Sequence, residues 1–196
     1  MMTRRGLLLS AGAMALLSAC ASSSGEVTGA YSRVGTFNVA FARPWSDITF
    51  MLPNRPRNMR LLSVDGPLLN RLYLASLEPG ESLLRPRDRD TPIPVYRSDM
   101  SDTELVEFVV DCVAVEYQSP EASALRPQDF AGQPGVRFDV SAQTAEGLNI
   151  SGTALAARAG ERLHMMLFLA PSEHYYGAML PEVETIFAGA TAVSAA

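Results

Sequence analysis

Cysteine and histidine are the scarce reactive residues of this chain, with two of each among 196 residues: Cys20, Cys112, His164 and His174. A thiol is a nucleophile once it loses its proton, and an imidazole moves protons near neutral pH. Spacing decides whether either does so here. Cys20 closes the sequence Leu17-Ser18-Ala19-Cys20 at the end of an apolar run. Cys112 falls among Leu105, Phe108, Val109 and Val113 at helical spacing, which makes it a small core residue. His164 lies inside the apolar run Leu163 to Leu169, and His174 inside Ser172-Glu173-His174-Tyr175-Tyr176. A general base needs a nucleophile and an orienting acid within reach. Glu173 and His174 are neighbours in sequence and so point apart on a helix. No G-x-S-x-G, H-E-x-x-H or G-x-G-x-x-G occurs. Two cysteines and two histidines do not make a zinc ribbon, and no metal or other cofactor is expected. All sixteen basic residues are arginine, which removes Schiff-base and P-loop lysines. With a net charge of −5, no nucleic-acid partner is expected either.

The chemistry of Cys20 comes from what precedes it. Arg4 and Arg5 supply a positive start without an acid, Leu7 to Leu17 a short apolar middle, and Ser18 and Ala19 small residues before the thiol. That is the order of a secretory signal. The stretch from Gly6 to Ala19, as a helix, covers roughly 21 Å, short of the roughly 30 Å hydrocarbon core. Leu17-Ser18-Ala19-Cys20 resembles the lipobox of bacterial lipoproteins. The resemblance implies cleavage between Ala19 and Cys20, a diacylglycerol on the Cys20 sulfur and an acyl chain on the new amino group. Several acyl chains, at about 0.8 kcal/mol per buried CH₂, hold firmly where one holds marginally. By the same resemblance Ala21, where retained lipoproteins of Gram-negative cells carry Asp, implies the outer membrane rather than the inner one. Thr3-Arg4-Arg5-Gly6-Leu7-Leu8 also resembles the twin-arginine export motif, and the sequence leaves open whether that route or the general secretory one is used.

The expected organisation is a signal peptide over 1–19, a lipidated Cys20 with a flexible tether over 20–34, and one domain over 35–192. Ala21 to Ala30 is small, polar and aperiodic, with a reach of roughly 18 Å as a free linker. From there the periodicity changes. Phe37, Val39 and Phe41 alternate as a strand, Met59 to Val64 and Leu69 to Leu77 follow, and Asp65-Gly66-Pro67 turns between them. Leu84 to Pro94, rich in Pro and Arg, reads as an exposed loop. Ser101 and Glu104 have capping-box spacing at the head of a helix over about 102–116. Val136 to Ala142, Leu148 to Ala156 and Leu163 to Leu169 read as strands, linked by Ala145-Glu146-Gly147 and Ala159-Gly160-Glu161. Tyr176, Met179, Leu180, Val183, Ile186, Phe187 and Ala190 form a last helix, which Pro181 is expected to kink or break.

The predicted class is α+β, a largely antiparallel sheet flanked by amphipathic helices in an α/β/α sandwich. The hairpin series Val136 to Ala170, running into the terminal helix, and the Asp65 to Asn70 turn resemble the PsbP-like family. Its members commonly bind or assemble other proteins, so the resemblance implies a binding role without catalytic residues. The charge adds a second clue. Residues 21–97 hold ten arginines against seven acids, and residues 98–196 hold four against fourteen. Arg55, Arg57, Arg60, Arg85, Arg87 and Arg89 crowd one stretch, a surface for anionic lipid or an acidic partner unless Asp65, Glu78, Glu81, Asp88 and Asp90 balance it. His174 and Tyr175 are further candidates for a binding surface. The function expected is that of a non-enzymatic, membrane-tethered lipoprotein facing the periplasm and binding a protein or envelope component. The alternative is a small hydrolase or ligand-binding module using His174 or His164.

Overall fold

The computed structural model describes residues 25–31, 34, 36–52, 54–83 and 92–193. Among these residues nine strands and two helices occur: β1 (Gly25–Tyr31), β2 (Phe37–Asp47), β3 (Met59–Ser63), β4 (Arg71–Leu77), α1 (Asp102–Ala114), β5 (Gln118–Pro127), β6 (Gly135–Gln143), β7 (Asn149–Ala159), β8 (Arg162–Pro171), α2 (Gly177–Ala188) and β9 (Thr191–Ala192). The sheet order is β1-β2-β3-β4-β8-β7-β6-β5, antiparallel throughout, with β9 on the start of β2. β8 sits at the centre and is buried along nearly its whole length, as its unbroken apolar sequence requires. The turns at Gly147 and Gly160 take positive φ, which glycine adopts without a Cβ clash.

Each face of the sheet carries its own core. Met165, Leu167 and Leu169 of β8 join Phe138 and Val140 of β6 and pack under α1 through Leu105, Phe108, Val109, Cys112 and Val113. Met166, Phe168 and Ala170 face the other way, with Leu72, Leu74 and Leu155, and pack under α2 through Met179, Val183, Ile186 and Phe187. One helix does not cover that second face. The β1–β2 ribbon supplies Val27, Tyr31, Phe37, Phe41 and Trp45 to the same core. β2 touches β3 only at Ser46 and Asp47, so its earlier residues are free to lie over the sheet. Ser101 and Glu104 form the full capping box at the head of α1.

Three elements depart from the expected pattern. Gly25–Tyr31 is a strand, so the fold begins ten residues before the boundary at 35, within the stretch read as tether. Its register shifts between Val27 and Gly29, which destroys the alternation by which a strand is recognised. β5 escaped for the same reason: its pairing with β6 shifts twice, and Ser119 and Ala124 take positive φ. Pro181 does not break its helix. It is the fifth residue of α2, so its missing N–H forfeits only the bond to Gly177 at the helix start. The irregular backbone lies earlier, at Ser172–Tyr176.

Candidate functional site

His164 stands directly opposite Ser76 of β4 and Ala157 of β7, on the α2 side of the sheet. It is 5% exposed. The rings of Phe37 and Phe130 lie 5.3 and 5.7 Å from it, and neither imidazole nitrogen has a hydrogen-bond partner. Burial, and secondarily the Arg162 guanidinium, lower its pKa from 6.5 to about 4. At neutral pH it is an uncharged core ring. Among the described residues neither a nucleophile nor an acid is bonded to it.

His174 belongs to the connection between β8 and α2 and is exposed. Its backbone has φ 69° and ψ −60°, a γ-turn conformation rare for a residue with a side chain. Its ring meets Tyr175 edge-on at 5.3 Å. From His164 to Pro171 the strand runs seven residues, about 23 Å at strand rise. The two histidines therefore do not meet, and no cluster of metal-ligating side chains occurs among the described residues.

The end of the sheet that carries His174 is a surface of its own. Arg71 pairs with Leu169 and Ile150 with Pro171, so the β3–β4 turn, the β6–β7 turn and the β8–α2 connection emerge side by side. They bring Leu68, which is 81% exposed, and Leu148, at 45%, to the same end as His174 and half-buried Tyr175. The connection is tied down by Ser151 and Ser172, whose hydroxyls lie 2.8 Å apart, and by the Tyr176 hydroxyl donating to the Gly152 carbonyl. Trp45 and Tyr176, by contrast, pack inward. Trp45 is fully buried and donates to Glu182 at 2.8 Å, and Tyr176 stacks on Phe168.

At the opposite end, Arg55 and Arg57 are exposed in the β2–β3 loop and Arg60 is half-buried at the start of β3. Arg60 donates to the carbonyls of Arg57 and Met59. None of the three makes an ion pair among the described residues. Asp65 and the glutamates expected to balance them are turned elsewhere: Glu78 pairs with Arg162, and Glu81 accepts from the Glu78 backbone. Arg85, Arg87 and Arg89, and Ala19 and Cys20 with the whole signal sequence, lie outside the described residues.

One charged residue escaped the sequence reading. Arg137 alternates with Val136 and Phe138 and so looks solvent-facing, but α2 covers that side of the sheet and leaves it only 3% exposed. Its Nε donates to the Thr153 hydroxyl at 2.6 Å, its guanidinium lies 4.6 Å over the Phe187 ring, and Nη2 has no partner. Burial, and then Arg126, lower its pKa. It lines an open cleft of about 410 Å³ with Arg126, Gln128, Asp129, Glu184 and Ala188. The cleft's two cations face two acids, so its lining is neutral overall. A two-sided sheet was the signal that would have found this residue.

An antiparallel sheet with two helices, joined in this order, is a PsbP-like fold. The structure resembles cyanobacterial PsbP (CyanoP) from Synechocystis sp. PCC 6803 with a TM-score of 0.54, at 11% identity over 93% of this chain and 100% of that one. It resembles the Ran-binding protein Mog1p of Saccharomyces cerevisiae with a TM-score of 0.51, at 12% identity over 87% and 96% of the two chains. A Bacteroides thetaiotaomicron protein matches with a TM-score of 0.50 at 11% identity; the match spans 85% of this chain but about half, 49%, of that one. No protein-family model matches the sequence, and no curated protein matches it.

Proposed function

We propose that the chain is a lipid-anchored protein of the cell envelope, facing the periplasm, whose PsbP-like domain binds a protein partner and does no chemistry of its own. The cluster of Leu68, Leu148, His174 and Tyr175 on three neighbouring connections carries this reading. Exposed apolar side chains beside a half-buried aromatic, converging on one end of the sheet, are the makings of an interface core. The fold is compatible with such use, since Mog1p is a Ran-binding protein. That is an argument from analogy of fold, and it carries no residue across. The lipobox resemblance supports the anchor at Cys20, and Ala21 supports the outer membrane. Among the described residues no helix is long and apolar enough to cross a membrane.

A photo-crosslinking residue at Leu68, in cells, tests the binding end. One reproducible protein adduct, lost in a Tyr175→Ala, Leu148→Ser variant, is expected. A smear of abundant envelope proteins that the variant leaves unchanged would refute it.

A further inference from the structure

The chain enters the fold at a particular corner. Gly25, the first residue of β1, pairs with Asp47, the last residue of β2. Paired strand residues lie about 5 Å apart. Directly after Asp47 the chain makes the short turn Thr49–Met51, which leaves Phe50 63% and Met51 49% exposed. The turn is held in place. The Asp47 carboxylate, nearly buried, accepts from the Tyr31 hydroxyl at 2.9 Å and from the Thr49 backbone N–H at 3.0 Å. Arg55, Arg57 and Arg60 follow, with no acid anywhere between Asp47 and Asp65. Among the described residues they have no carboxylate partner, a lack shared only by buried Arg137. Arg43, Arg71, Arg97, Arg126, Arg158 and Arg162 each have one.

We propose that this corner lies on the leaflet, with Phe50 and Met51 at the headgroup–acyl boundary and Arg55, Arg57 and Arg60 over anionic lipid phosphates. The proposal rests on the reading of Cys20 as the lipidated residue. Four residues, Ala21 to Ser24, separate that sulfur from the strand. Five Cα–Cα steps span at most about 18 Å even when fully extended. A domain of this size has a radius of gyration near 15 Å. The anchored corner therefore cannot turn away from the membrane. An exposed aromatic and thioether pair beside unpaired guanidinium groups is the chemistry that such a surface rewards. The far edge of the sheet, β5 with its 53% exposed Leu125, then points away from the lipid.

The test uses the processed, acylated chain reconstituted into vesicles of phosphatidylcholine and phosphatidylglycerol with brominated acyl chains. Phe50→Trp reports on the corner, and Leu125→Trp reports on the far edge. Native Trp45 is fully buried and gives a constant background. Bromine quenching about twofold or more stronger for Phe50→Trp than for Leu125→Trp is expected, and adding Arg55→Gln with Arg57→Gln shrinks the difference. Equal quenching at both positions in protein that floats with the vesicles overturns the orientation while leaving the anchor intact. Protein without acyl mass on Cys20 overturns the anchor, and the orientation falls with it. Circular dichroism and the unfolding midpoint confirm that the exposed substitutions leave the fold unchanged.

Discussion

His164 brings two ring nitrogens into the interior without a hydrogen bond, with the equally unbonded hydroxyl of Ser76 in register beside it. Such a group costs stability when neutral and costs more when charged. The sign of the pH effect follows from its lowered pKa. Below pH 6.5 the unfolded chain takes up a proton on this ring, and the folded chain does not until about pH 4. Stability attributable to His164 therefore falls between those values and levels off below them, a loss of about 3 kcal/mol. His164→Leu removes the titration. Urea unfolding at pH 7 and pH 4 should show the variant gaining about that much on the wild type as the solution is acidified. An unchanged gap between the two proteins would mean that the ring is protonated or bonded in the native state.

The β8–α2 connection carries its own stored cost. His174 has a side chain where the backbone suits glycine. His174→Gly should raise stability by about 1 kcal/mol, seen as a higher unfolding midpoint, and should loosen the end that carries Leu68 and Leu148. Elements of this kind also mark how far the sequence could be read. Regular alternation revealed β6 and β7, an unbroken apolar run revealed β8, and the Ser101–Glu104 spacing revealed the head of α1, because all three patterns are local. β1 and β5 are strands whose bulges shift the register, so their side chains do not keep period two. The candidate site divided along the same line. Exposure of Arg55 and Arg57 and burial of His164 followed from local pattern. Arg137 under α2, and the placement of Leu68 and His174 at one end of the sheet, arise only from strand order, which no local pattern encodes.

For the whole molecule, the strand outside the expected boundary is the decisive test of where the domain starts. A chain beginning at residue 35 lacks the buried side chains of Val27 and Tyr31, and the Tyr31 bond to Asp47. It should be less stable than one beginning at residue 21 by about 3–5 kcal/mol in denaturant unfolding. Equal stability would return β1 to the status of a tether. The far margin of the sheet has a different consequence. Among the described residues β5 is bonded only to β6, and its outer side is bent by two register shifts and interrupted by Pro120 and Pro127. A proline has no amide hydrogen to offer an incoming backbone, and a bulged rim does not present a straight row of donors and acceptors. Many copies crowded side by side would consequently find no template along that margin on which to zip into fibrils.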